Sequence, residues 1–521
     1  MKPRSVILCI AAATLGILAA CSGVNVSLGS GHQNQAGMAG STSAGGAAAT
    51  GNGASSGLNV GDAGMPPAPC PAGQKTTVSG TVYDPAGNTQ LYNAVVFVPD
   101  GTPPPFPHTV MCEKCTDFLQ AKDVALSDSN GAFTLKDVPA ASEVQLVVQL
   151  GKWRSHPQTF GIKPCQPNTI PDKALRLPKD RSEGDIPKIA LSTGHSDALE
   201  CLLRKIGISD SEFTTDTGQG RVNLFVGCAG DQTDKHTGAS QFNAALGGQS
   251  FPGTNQLFDT PGELDQYDVV IFSCEGHKCT DASSNAGNPP IQTPEHVAQL
   301  VDFANRGGRV YLDHDHYNWL NHAGDVTDAG PGDKIESAAQ FSSSPDDVPS
   351  PLIADINTDA SFPKGQDFAQ WLVNVQASST RGSLNIFSGK TSVESIDPNR
   401  AQSWIYRNSG PHPDYPDYPD FFYLTIGTPV AVKDGDPAPA ACGRVVFTDL
   451  HVSKSGGGCA DAGVTCGESD DTSDQAVPFP DGCTSVGLLP QEKALEFMIF
   501  DLSSCVQKET DPPIMPPIVV K

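Results

Sequence analysis

The stretch Gly307-Gly308-Arg309-Val310-Tyr311-Leu312-Asp313-His314-Asp315-His316 decides how the larger part of this chain reads. Two glycines stop a helix, Arg309 to Leu312 makes a short buried strand, and a His/Asp run follows where that strand must end. Upstream, Thr293 caps the helix with Pro294 in its first turn, and Val297, Leu300, Val301 and Phe303 recur at helical spacing. The alternation extends outward from there. Pro187 to Gly194 is a buried strand ending in glycine, and Ala198 to Ile206 is a helix with Leu199, Leu202, Leu203 and Ile206 on one side. Arg221 to Val226, Tyr267 to Phe272 and Gly443 to Thr448 are further strands. Pro490 to Leu502 is a strongly amphipathic helix with Ala494, Leu495, Met498, Ile499 and Leu502 in phase. Strands alternating with helices predict a doubly wound parallel α/β (flavodoxin-like) domain over 186–506, with a long insertion at about 321–441.

From Thr76 to about Trp153 the rhythm differs. Short strands at 76–83, 94–98, 132–135 and 144–150 are separated by turn signals at Asp84-Pro85-Ala86-Gly87-Asn88 and Ser129-Asn130-Gly131. They predict a small β-sandwich over 70–180 and so an α+β multidomain chain. Gly80 to Gly87, Ser127 to Leu135 and Val138-Pro139 resemble the carboxypeptidase regulatory-like family, which has a transthyretin-like fold. That resemblance implies a non-catalytic accessory or adhesive module. The insert Asp100 to Asp123, with Pro103-Pro104-Pro105, departs from the pattern and is expected to decorate one end.

Lys188 to Gly194, Tyr267-Asp268-Val269-Val270, Gly307 to Val310 and Cys442 to His451 resemble the class I glutamine amidotransferase-like superfold, especially its trehalose-utilisation-like branch. The two-part layout is also similar to lipoproteins of large-genome soil bacteria. An active amidotransferase carries its nucleophilic cysteine on the turn after the strand matched here by Arg309 to Leu312. Asp313 to His316 stand there instead, and no Gly-x-Cys-x-Gly elbow occurs. The resemblance therefore implies the fold without glutaminase chemistry. Cys274-Glu275-Gly276 follows the preceding strand, but nearby Cys279 favours a disulfide.

The first residues point to export. Lys2 and Arg4 precede an apolar stretch, Ser5 to Ile17, too short to span a bilayer, and Leu18-Ala19-Ala20-Cys21 resembles the lipobox of bacterial lipoprotein signals. The expectation is a signal peptide at 1–20, lipid on the Cys21 thiol, and a location in the cell envelope. Ser22 favours the outer membrane or cell surface. Residues 21–69 are dominated by Gly, Ala, Ser and Asn and read as a flexible tether; 507–521 reads as a Pro-rich tail. The net charge of −25, from 33 basic and 58 acidic residues, argues against a nucleic-acid partner. In an oxidising compartment most cysteines pair. Spacing suggests Cys70 with Cys165, Cys112 with Cys115, Cys274 with Cys279 and Cys459 with Cys466; Cys112 and Cys115 would otherwise be half a zinc site.

In open α/β sheets, ligands bind outside the carboxyl ends of the strands. His195, Glu275, His277, Asp313, His314, Asp315, His316 and His451 fall at such ends. Three readings stay open. His314, His316 and His195 hold a divalent metal, with His322 a further ligand; or Asp313, His314, His316 and His451 form a metal-free catalytic or sugar-binding cleft, with Asp313 or Asp315 orienting a histidine base; or the run fills a hydrogen-bonded corner with Tyr317 to Leu320. In an extended segment His314 and His316 share a face. No cofactor is required by the sequence, and a divalent metal is the one candidate. The leading expectation is a membrane-anchored extracytoplasmic lipoprotein with a binding or scaffold role, facing a carbohydrate or surface-protein ligand. The alternative is an extracytoplasmic hydrolase or lyase working from the His/Asp cluster.

Overall fold

A computed structural model describes residues 70–139, 141–194, 196–227, 250–275, 291–321, 335–341, 348, 352–407, 420–430, 440–452, 479–481, 483 and 487–520. Cys21, His195, His277, Cys279, His322, Cys459 and Cys466 lie outside these, as do the signal and the tether.

Alternation places the inner face of the first part. Val78 and Val82 of Thr77–Tyr83, and Val144, Leu146, Val148 and Leu150 of Glu143–Leu150, enter one buried core. Thr77–Tyr83 pairs antiparallel with Ala132–Leu135 and parallel with Pro167–Thr169 and Leu175–Arg176. A second sheet runs Gly184–Asp185, Trp153–Ser155, Glu143–Leu150, Val95–Pro99, Leu119–Leu126 and Ile518–Val519. The turn into Ala132–Leu135 follows its sequence: Asp128 Oδ1 accepts the N–H groups of Asn130 (2.8 Å) and Ala132 (3.0 Å), and Gly131 takes φ +69°.

One expectation changes here. The insert does more than decorate an end, because its last residues open the strand Leu119–Leu126. The Pro-rich tail joins the same sheet, where Ile518 pairs in register with Leu119 and adds an edge strand. The cysteines differ as well. Cys70 and Cys165 form a disulfide, but Cys112 and Cys115 do not pair with each other or leave thiolates for zinc. Cys112 bonds Cys442 and Cys115 bonds Cys505, while Cys201 bonds Cys483. Their partners come from sequence separations of 330 and 390, which spacing along the chain cannot reveal.

The second part is built on a ten-stranded sheet. Phe213–Thr214, Val222–Val226, Ile189–Thr193, Val269–Phe272, Arg309–Asp313 and Gly443–Thr448 lie side by side, all parallel. Beyond them Asp420–Thr428, Ala401–Arg407, Leu352–Ile356 and Ser383–Ile386 continue the same sheet antiparallel. The insertion is therefore part of the sheet rather than an appendage to it, and the sheet is mixed. Pairing Ile189 with Val269, Val269 with Arg309 and Arg309 with Arg444 aligns the strands, so their carboxyl ends fall along one edge.

Helix Pro294–Asn305 begins as its sequence implies, with Thr293 Oγ1 accepting the His296 N–H. Helix Pro490–Ser503 is more buried than an amphipathic stripe requires. Phe497 stacks with Tyr92 and packs on Trp371 and Trp404, and Phe500 meets the edge of Trp153. The first part of the chain covers the face that the second leaves open. One core cluster accordingly runs from Val78 and Trp153 to Leu191, Trp404 and Phe497, and Pro66–Lys521 makes one compact unit. The whole is a mixed α/β structure, rich in strands, with several sheets and few helices. No described helix is long and apolar enough to cross a membrane.

Candidate functional site

The edge formed by the strand ends carries the reactive side chains. Arg309–Asp313 is buried along its length, and the chain leaves it through His314 at φ 41° into a single 3-10 turn, His314–Tyr317. A left-handed residue that is not glycine costs energy, and such strain concentrates at functional sites. Cys274 stands two residues past Val269–Phe272, and His451 three past Gly443–Thr448.

These three side chains converge. Cys274 Sγ lies 3.2 Å from His314 Nδ1, and the His314 and His451 rings are 5.4 Å apart and nearly perpendicular. One ligand atom from each of Cys274, His314 and His451 lies within 4.8 Å of the others. Asp315 Oδ2 is 3.5 Å from His314 Nδ1 and 4.0 Å from the sulfur. All four residues are buried. A thiolate with two imidazoles is the donor set of a borderline-to-soft ion such as zinc, and three protein ligands leave one position open.

The backbone around Cys274 is held tightly. Ser196 and Asp197 donate N–H groups to its carbonyl, at 2.9 and 3.1 Å, and its own N–H donates to Asp313 Oδ2 at 3.2 Å. The glycine ending the first strand is needed for this approach, since a Cβ on Gly194 would sit 2.1 Å from that carbonyl oxygen. Asp197 accepts the Val452 N–H at 2.7 Å, and Asp449 accepts that of Ser392 at 2.7 Å. Burial pushes the Asp197 and Asp449 carboxyls up to about 7. It pushes Asp313 well above the usual carboxylate range, with the neighbouring Asp197 charge adding to the effect. These acids act as hydrogen-bonding braces for the loops that carry Cys274 and His451.

His316 belongs to a separate group. Its Nε2 meets Glu275 Oε2 and the Ser273 carbonyl, both at 2.9 Å, and its Nδ1 accepts from Trp319 Nε1 at 3.2 Å. Burial lowers the affinity of this ring for a proton, but Glu275 and the Ser273 carbonyl outweigh it and raise its pKa. The expectation that His314 and His316 share a face is corrected: three residues per turn, rather than two, send them different ways. Cys274 and His451 stand with His314 where His316 was expected, and His195 lies outside the described residues. The signal for Cys274 was its place just after a buried strand, which the nearby Cys279 obscured. Asp197 and Asp449 carried the same signal, each lying within four residues of a strand end.

No family model and no curated protein matches this sequence. Among solved structures, a type II cohesin–X-dockerin complex from Acetivibrio cellulolyticus, a C-terminal interface mutant, is similar at 17% identity and a TM-score of 0.14, over 27% of this chain and 75% of that one. An N-terminal interface mutant of the same complex is similar at 18% identity and a TM-score of 0.14, over 28% and 78%. The crystal structure of SMU.1228c is similar at 10% identity and a TM-score of 0.26, over 61% of this chain and 99% of that one.

Proposed function

We propose that this protein is an exported hydrolase, anchored in the cell envelope by lipid on Cys21, whose reacting centre is a divalent metal held by Cys274, His314 and His451. The observation that carries the reading is the convergence of these three donors, each from the carboxyl end of a different neighbouring parallel strand. All three lie at the edge where the parallel strands end, and ligands of open α/β sheets bind at such an edge. A metal in such a site supplies a water activated near neutral pH. Asp315, beside His314 and the sulfur, is placed to take a proton there. Four disulfides agree with an oxidising compartment. Glutaminase chemistry is disfavoured, since the left-handed residue after Arg309–Asp313 is a histidine.

A binding or scaffold role without turnover, toward a carbohydrate or surface protein, is the second reading. It is favoured by the low exposure of the three donors, 0, 5 and 9% for Cys274, His314 and His451. The test is elemental analysis of the full-length protein purified in detergent, with chromogenic ester, phosphoester and glycoside substrates. About one equivalent of transition metal, lost in Cys274→Ser and His451→Ala, with turnover that a chelator removes, is expected. Metal without turnover moves the reading to binding, and a folded wild type with no metal sinks the hydrolase.

A further inference from the structure

Cys274 stands beyond the last paired position of its strand. The register of Val269–Phe272 with both neighbouring strands ends at Phe272, so the turn Ser273-Cys274-Glu275 depends on other groups to hold its shape. One side chain meets both neighbours of the cysteine. His316 Nε2 lies 2.9 Å from the Ser273 carbonyl and 2.9 Å from Glu275 Oε2. It serves these two acceptors only if Nε2 carries the ring proton. Trp319 sets that tautomer: an indole N–H can only donate, and it donates to His316 Nδ1 at 3.2 Å. The ring plane is fixed as well. Phe272 lies 5.3 Å from the His316 ring, and Trp319 packs on Phe272 at 5.0 Å and on Phe258 at 5.1 Å. Glu275 is confined from its far side, where a Cβ on Gly227 would come 2.4 Å from Oε1. His316, Trp319 and Glu275 are all buried.

With Nδ1 accepting and Nε2 donating, His316 has no lone pair left for a metal. The geometry points instead to His316 as the positioning residue for Cys274. It clamps the carbonyl before the cysteine and the carboxylate after it, and so aims the sulfur at the point where His314 and His451 also converge. This rests on the reading of Cys274, His314 and His451 as a metal centre. Groups that orient metal ligands without touching the metal are typically worth about 10–100-fold in metal affinity.

The experiment is cobalt(II) titration of the full-length protein in detergent, followed by the near-ultraviolet sulfur-to-cobalt absorption, with melting temperatures read alongside. His316→Leu should bind cobalt about 10–100-fold more weakly than wild type and lose much of the sulfur band. His316→Gln keeps an N–H donor near the place of Nε2 and should recover most of both. Trp319→Phe keeps the ring packing and removes only the indole N–H, so its affinity should fall between the two. If His316→Leu does not fold, Trp319→Phe decides: weaker cobalt binding supports the inference, and wild-type binding overturns it. Wild-type affinity with an undiminished sulfur band in both His316→Leu and Trp319→Phe would overturn it and leave the metal centre standing. Equal losses in His316→Leu and His316→Gln would overturn it too, since the donated N–H would not be what matters. No cobalt in a folded wild type would overturn the metal centre and this inference together.

Discussion

Asp501→Asn tests how the helix Pro490–Ser503 is held to the strand Gly443–Thr448 and to Lys364. The carboxylate is 7% exposed and holds two cations that are 1% exposed, Lys364 at 2.7 Å and Arg444 at 2.8 Å. Burial would raise its pKa, yet Lys364 and Arg444 hold it below the usual carboxylate range. The amide keeps the shape and removes the charge, so Glu509 alone must then balance both cations. Breaking a buried pair from one side costs about 3–5 kcal/mol, because the partner charges stay buried. At about 2.1 cal/mol/K of unfolding entropy per residue, roughly 450 residues give about 0.9 kcal/mol per kelvin, and the melting temperature should fall by about 3–5 °C. Differential scanning calorimetry of the oxidised protein reads this directly. Asp302→Asn is the control: it breaks an exposed pair with Arg306 and should shift the midpoint by less than about 1 °C. Equal shifts in the two variants would refute the reasoning.

A second prediction concerns pH. Burial pushes Asp84 up to about 6 and Glu496 well above the carboxylate range, and the two are neighbours. Both folded-state pKa values exceed the unfolded ones, so the folded protein holds protons that the unfolded chain has released. The stability is fully present below about pH 4 and is lost as pH rises through about 6 and beyond. Urea midpoints should therefore fall from pH 5 to pH 8, and Glu496→Gln should flatten the dependence; an unchanged slope in the variant would count against the pair. Removing the Cys115–Cys505 bridge with paired alanine substitutions should cost about 2–4 kcal/mol. It should also speed hydrogen exchange in Ile518–Val519, and unaltered exchange would show that the strand docks unaided.

What the residues disclose locally, they disclose well. Glycine-bounded apolar runs such as Arg309 to Asp313 and the cap at Thr293 stand where local rules put them, because each rests on contacts within a few positions. What they conceal is set by distance or by a single torsion. Asp420–Thr428 and Ala401–Arg407 join a parallel sheet from inside an insertion, and no local pattern tells which sheet a strand will enter. Helix Pro490–Ser503 shows its second face only in Phe497 and Phe500, which an in-phase count of Ala494, Leu495 and Met498 passes over. At the candidate site the strand ends were legible, because parallel pairing makes residues far apart in sequence into neighbours. Which histidine joins Cys274 was not legible, since it follows from one left-handed residue, His314.

The disulfides interlace: Cys112 and Cys115 lie between Cys70 and Cys165, yet their partners come near the end of the chain. A polypeptide emerging amino terminus first presents Cys112 and Cys115 to each other, and to Cys70, long before Cys442 or Cys505 appears. An oxidase that joins thiols as they arrive will therefore make wrong bridges first, and each must be broken by thiol–disulfide exchange before the right ones form. Oxidative refolding of the reduced protein should therefore be faster with a disulfide isomerase present, and Ile518 and Val519 join a sheet whose other strands all lie before residue 186.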